Sequence, residues 1–309
     1  MHHHFTFVQA IVIGAIQGVT ELFPVSSLGH AVLIPHWIGG SWAAAVGDES
    51  TGESPYLAFI VVLHVATALA LLVFFWREWV KILTGLWTSI RHRRIQTLYE
   101  RMAWLLIIAT IPAGLTGLLF EHALRTVFAK PEAAAVFLTV NGFILLGGER
   151  LRRRSLANAS AAGGVQAADG STVERPAEQV DNDIVGQVRF RDAGWIGLAQ
   201  ILALFAGISR SGITMVAGLL RGLDHEEAVR FAFLLATPII LAAGLLKIPD
   251  FTGPLGDGIR GQALAGAGAA FVGALFATAF LTRYFKTNKL TPFGIYCLLF
   301  GIASIFRFA

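Results

Sequence analysis

Two charged side chains stand inside long apolar runs of this chain, and each sits in a cluster of hydroxyl and small residues. Glu21 lies in Gln17-Gly18-Val19-Thr20-Glu21-Leu22-Phe23-Pro24-Val25-Ser26-Ser27-Leu28-Gly29-His30, and Arg210 in Ala206-Gly207-Ile208-Ser209-Arg210-Ser211-Gly212-Ile213-Thr214. A carboxylate or guanidinium at membrane depth costs about 2.5–3.5 kcal/mol on insertion scales, so each needs a partner or a wet cavity. Gln17 and Glu21 are four apart and share a helix face, while Ser26 and Ser27 follow Pro24 at the start of a returning half-helix. Ser209 to Gly212 occupies the matching helix start in the second segment. Two helix N-termini aimed at one point, each with unpaired N–H groups and hydroxyls, make an anion site, and Arg210 adds a charge whose geometry suits phosphate. At membrane depth the carrier of that phosphate or pyrophosphate is a lipid. Hydrolysis there needs a nucleophile, a proton carrier and a neutralised leaving group. Ser27 or Ser26 supplies the first, Glu21 or His30 the second and Arg210 the third.

The elements that must position these residues follow from composition. Of 309 residues, 55% are apolar and 14% charged, against about 25% charged in soluble domains, and mean hydropathy is +0.65. An ordinary soluble protein is excluded. The net charge of +4 is read as a membrane orientation signal, with no nucleic-acid partner expected. The single cysteine, Cys297, excludes an internal disulfide framework. Six uncharged stretches, 56–76, 102–120, 133–148, 231–246, 261–282 and 290–306, approach the length of about 20 residues that a bilayer core requires. Two further apolar regions, 5–42 and 193–220, are broken by the clusters described above, and each reads as a hairpin of two half-length helices.

Lys and Arg are concentrated in three connections, six in 77–101, seven in 150–191 and three in 283–289, which places those connections in the cytoplasm. Because three spans follow each broken region, the two halves, 5–149 and 192–308, take opposite orientations within one membrane domain covering 1–309. An offset of 183 residues superposes Gln17 on Gln200, Ser26 on Ser209 and Gly29 on Gly212, so the matches fall on the two elbows. The expected fold is therefore all-α and polytopic, with six transmembrane helices plus two re-entrant helical hairpins in an inverted repeat. Segment 155–188, poor in apolar residues, reads as a flexible cytoplasmic linker. His64 is expected as a hydrogen-bonded core histidine, Asn141 and Gln200 as interhelical hydrogen-bonders, and the glycine-rich run 261–273 as a close-packing surface.

From Gln17 to Pro292-Phe293-Gly294-Ile295-Tyr296 the chain resembles the undecaprenyl pyrophosphate phosphatases of the bacitracin-resistance type. The most specific parts are Glu21 through Ser27 with Gly29-His30, and Gly207 through Gly212 with Thr214. The resemblance implies hydrolysis of a polyprenyl pyrophosphate, recycling the carrier for cell-wall synthesis. It carries Glu21, Ser27, His30, Ser209, Arg210 and Thr214 onto positions for pyrophosphate binding and cleavage, with Ser27 as nucleophile; Gln17, Ser26, Ser211 and Gly212 complete the expected substrate contacts. Mg²⁺ or Ca²⁺ is implied as a stimulating ion, with Glu21 as the one side-chain ligand, although Gln17 stands where the pattern also accepts Glu, and Ala206 replaces the usual Pro. An inner-membrane location, a site opening outward and a homodimer are the accompanying expectations. The acid-phosphatase-like lipid phosphatases fit less well, because Val216 stands seven residues beyond Ser209 where they carry His. A polyprenyl-phosphate transporter using the same site for binding alone is the competing class.

Overall fold

The computed structural model describes residues 6–46, 54–128, 130–161 and 175–308, and every regular element in them is helical. The first broken region forms α1 (Phe7–Leu22), α2 (Ser27–Ile38) and the short α3 (Ser41–Val46). Then come α4 (Pro55–Phe74), α5 (Trp76–His92), α6 (Leu98–Phe128) and α7 (Pro131–Ala161), followed by α8 (Ala177–Gln187). The second broken region forms α9 (Phe190–Gln200), a 3₁₀ turn at Ile201–Leu204 and α10 (Arg210–Leu219), and the chain ends with α11 (His225–Thr252), α12 (Arg260–Tyr284) and α13 (Thr291–Phe308). Among the described residues, six helices are long and apolar enough to cross a membrane: Pro55–Phe74, Leu98–Phe120, Pro131–Asn158, His225–Pro249, Arg260–Tyr284 and Thr291–Phe308. Each contains one of the six stretches expected from sequence, apart from one or two terminal residues. This is a multi-pass membrane protein.

Sequence explains the ends of these helices. Ser54 caps α4 by accepting from Leu57 N, with Pro55 as first residue, where a missing N–H costs nothing. Asp224 and Glu227 form a reciprocal capping box on α11. In lipid every backbone group must be satisfied within the protein, and apolar side chains then divide between two tasks. Phe231, Phe233, Leu138, Leu145 and Met215 are fully buried in the larger core cluster, whereas Leu119, Phe276, Leu299 and Phe306 point outward, as lipid-facing residues do.

The long helices pair in a crossed pattern. Helix α1 lies along α12 from the other half of the chain, while α9 lies along α6; α4 pairs with α11, and α7 with α13. Small residues set the first of these seams. A Cβ on Gly14 would fall 2.2 Å from the Gly266 carbonyl oxygen, and one on Gly18 at the same distance from that of Ala270. The glycine-rich run thus serves close helix packing, as its composition indicates.

Segment 155–188 departs from the expected flexible linker wherever it is described; 162–174 lies outside the described residues. Helix α7 continues to Ala161, and α8 buries Val180, Asp181 and Ile184. Charge accounts for the order that low hydrophobicity hid. Arg230 on α11 donates to Asp181 at 2.6 and 3.0 Å, and Arg175 lies between Asp183, Asp224, Glu226 and Glu227, at 2.6 to 3.4 Å.

Candidate functional site

Helix α1 stops at Leu22 because Phe23 precedes a proline and is pushed to extended backbone, φ −64° and ψ 142°. After the turn Ser26 holds φ 68° and ψ 103°, a left-handed conformation uncommon for a residue with a Cβ. Three contacts hold it there. Its Oγ accepts from Gly29 N at 3.3 Å, capping α2, and from Gly207 N of the second elbow at 3.1 Å. Its carbonyl accepts from His30 Nδ1 at 2.7 Å.

The second elbow is built against the first. Gly207 has φ 111°, and a Cβ there would lie 2.5 Å from the Ala134 oxygen and 2.6 Å from Leu138 N on α7, so only glycine lets this turn rest on that helix. Ser209 caps α10 by accepting from Gly212 N at 3.1 Å. Its hydroxyl and that of Ser211 both donate to the Phe23 carbonyl, at 3.3 and 3.2 Å. Asn141 of α7 closes the junction: its Nδ2 donates to Pro24 O and its Oδ1 accepts from Ser209 N, both at 3.0 Å. An amide is the one neutral side chain offering donor and acceptor in that spacing.

On one side of this seam Glu21, in the last turn of α1, is buried, with Oε2 as a convergence point. It accepts from Gln17 Nε2 at 3.1 Å and from Ser27 Oγ, the hydroxyl of the first residue of α2. His64 Nε2 on α4 lies 3.2 Å from the same oxygen. His64 Nδ1 donates to the Ile60 carbonyl at 2.8 Å, so the remaining nitrogen faces a carboxylate and one proton lies between ring and carboxyl. Arg210, first residue of α10, is electrostatically coupled to both Glu21 and His64. Two buried polar atoms lack partners here, Arg210 Nη1 and Gln17 Oε1. An unpaired buried guanidinium nitrogen is costly, and an anion arriving at the site would satisfy it. The first-turn N–H groups of Ser27, Leu28, Arg210 and Ser211 have no intrahelical acceptor and add to the same positive potential.

The model of the family described as bacitracin resistance protein BacA matches residues 10–303. The chain belongs to the BacA family. It is 57% identical over 305 residues to an undecaprenyl-diphosphatase of Mycolicibacterium paratuberculosis, covering 99% of this chain and 98% of the relative. It is 54% identical to undecaprenyl-diphosphatase 2 of Frankia alni, covering 99% of each, and 42% identical to that of Chromobacterium violaceum, covering 96% and 97%.

Within this BacA-family chain the residues singled out from sequence fall into three groups. Gln17 and Ser27 converge on one oxygen of Glu21, and the charge of Arg210 acts on that carboxylate. Ser26, Ser209, Ser211 and Gly212 make the seam that fastens the elbows together, and Thr214 is buried one turn into α10. His30 points elsewhere: its Nε2 meets the Tyr296 hydroxyl at 2.7 Å, and its ring stacks on Tyr296 with centroids 5.6 Å apart. Both of its nitrogens are engaged, and neither contacts Glu21 or Ser27.

His64, expected as a hydrogen-bonded core histidine, is hydrogen-bonded to Ile60 O, and its other nitrogen faces the Glu21 carboxylate. The signal was available, because a titratable residue in the middle of an apolar span is a functional candidate by default. Asn141 and Gln200 bridge helices as expected, Gln200 Nε2 donating to Ala109 O at 3.2 Å. No three His, Cys, Asp or Glu side chains converge among the described residues, and Oε2 of Glu21, the one side-chain ligand expected for a divalent cation, faces three other polar groups.

Proposed function

We propose that the protein is an undecaprenyl-diphosphate phosphatase, cleaving undecaprenyl pyrophosphate to the monophosphate and inorganic phosphate. The relatives' activity and the match along nearly the whole chain support the substrate. The observation that carries the mechanism is the Ser27 hydroxyl donating to Glu21 Oε2 at the start of α2, a carboxylate on which the charge of Arg210, with its unpaired nitrogen, also acts.

Ser27 Oγ attacks the terminal phosphorus while its proton passes to Glu21. The phosphorus–oxygen bond to the bridging oxygen breaks, and the electron pair leaves with the lipid monophosphate. Water then attacks the phosphoserine, yielding phosphate and restoring the hydroxyl. Arg210 and the first-turn N–H groups hold the phosphoryl oxygens, where charge develops. His64 fixes the orientation of the Glu21 carboxyl. His30, bonded to the Ser26 carbonyl, acts by holding the strained turn that aims Ser27. Mg²⁺ or Ca²⁺, when bound, would be held by the phosphate oxygens of the substrate rather than by protein side chains and would supply neutralisation of the charge on the leaving group.

The crossed helix pairing, α1 with α12 and α9 with α6, supports the inverted-repeat reading, with the two helix pairs as hairpins that dip into the membrane from opposite faces. The basic connections support an inner-membrane orientation in which the first hairpin opens outward. That orientation suits recycling of a carrier released during peptidoglycan synthesis, and with it bacitracin resistance.

Purified protein in detergent is expected to release phosphate from undecaprenyl or shorter isoprenyl pyrophosphate. Ser27→Ala, Glu21→Ala and Arg210→Ala are each expected to lower the rate by at least about 100-fold. Full turnover in Arg210→Ala overturns the site assignment. Lipid movement in liposomes without wild-type hydrolysis would instead favour a carrier.

A further inference from the structure

Helix α5 (Trp76–His92) is too polar to be one of the six spans, yet it carries an unbroken apolar stripe. Trp76, Val80, Leu83, Trp87 and Ile90 follow one another at intervals of four, three, four and three, the spacing of a single helix face, and all five are more than half exposed. The stripe cannot turn inward, because another sector of α5 is already docked. Ile82, Gly85 and Ser89 are buried. A Cβ on Gly85 would lie 2.8 Å from Glu100 N at the start of α6, and Ser89 Oγ accepts from Trp104 Nε1 at 3.0 Å.

Arginines occupy the flank and the end of the stripe. Arg77, Arg91, Arg93 and Arg94 are exposed, and none makes an ion pair among the described residues. The neighbouring acids are engaged elsewhere: Glu78 pairs with Arg230 at 3.2 Å, and Glu100 accepts from Thr88, Gln96 and Thr97. Four uncompensated positive charges therefore border an apolar face with a tryptophan near each end, directly after the transmembrane helix α4.

We infer that α5 lies in the membrane interface and binds acidic phospholipids, its stripe at the boundary of headgroups and acyl chains and its four arginines on the lipid phosphates. The Trp residues suit that depth, since indole rings favour the headgroup level, and a helix with this charge and apolar pattern lies in the interface rather than across it. The inference is independent of the hydrolytic mechanism.

The full chain is placed in phosphatidylcholine nanodiscs carrying brominated phosphatidylcholine or brominated phosphatidylglycerol at equal mole fraction. The Trp87 signal is taken as the difference between wild type and Trp87→Phe. Trp87 is expected to be quenched in both, about twofold more by the acidic lipid. That preference should shrink in wild type at about 0.5 M salt and disappear when Arg77, Arg91, Arg93 and Arg94 are all changed to Gln. Equal quenching by the two lipids in wild type at low salt overturns the lipid selectivity. Absence of quenching by either, together with disulfide-linked dimers of Leu83→Cys, overturns the proposal and gives the face to a second copy of the chain.

Discussion

At the scale of single residues, the environment of Glu21 decides what chemistry is available. A carboxylate alone on a half-helix could take a proton from Ser27, but nothing would fix which oxygen faces the hydroxyl. Gln17 and His64 fix it by directing two further donors at Oε2. Replacing His64 with Leu removes one donor and the proton shared with the carboxyl, and turnover at saturating lipid pyrophosphate should fall by about 10²-fold or more. His64→Gln keeps an amide N–H for the carboxylate and should lose only about tenfold. A rate unchanged in His64→Leu would return this histidine to a packing role. The difference between Glu21–Ser27 and His64 also shows what is legible in a sequence. Gln17, Glu21 and Ser27 meet across one turn, so spacing and a proline suffice to bring them together. The contact to His64 depends on how α4 packs beside α1, which no local pattern encodes. His30 was readable as a polar residue of the right segment, but its pairing with Tyr296 depends on α13, far along the chain.

At the scale of elements, the two elbows are a single construction. Their backbone groups are satisfied by one another: Ser26 Oγ takes the N–H of Gly207, the Phe23 carbonyl takes two hydroxyls from the second elbow, and Asn141 spans both. Breaking helices inside a membrane is tolerated only when the freed groups find such partners. Gly207→Ala tests this directly, since the added carbon at φ 111° meets the backbone of α7 at 2.5 Å. Overpacking of this kind costs about 1–3 kcal/mol, so the melting temperature in detergent should drop by about 5 °C. Hydrolysis should fall with it, because the displaced elbow carries Arg210; an active, equally stable variant would show that the junction is looser than its contacts indicate. The six spans were legible because hydropathy sums over some 20 residues and tolerates errors at the ends. Helix α8 was not, because it is ordered by ion pairs to residues distant in sequence rather than by its own apolar content.

For the molecule as a whole, the two elbows and the α8 clasp are separate structures, sharing no hydrogen bond or ion pair among the described residues. The clasp joins three elements: Lys81 of α5 faces Glu178 of α8 at 3.7 Å, Asp181 of α8 binds Arg230 of α11, and Arg175 sits over the first turn of α11. Burial by itself would lower the pKa of Arg175, but Glu226 and Asp224 beside it hold the guanidinium above the ordinary arginine value. The charge persists at any working pH, so what can fail is the pairing. In Arg175→Ala the carboxylates of Asp183, Asp224, Glu226 and Glu227 are left facing one another without their cation, at the end of α11 where the capping box already concentrates negative charge. Release of α8 should follow, read as cleavage within 175–188 by limited proteolysis about tenfold faster than in wild type. High salt should narrow that gap by screening the carboxylates. Phosphate release from the lipid pyrophosphate should stay within about twofold of wild type, as independent sites behave additively. A parallel collapse of turnover and protection would show instead that the clasp sets the position of α11 against α4, and through α4 the place of His64.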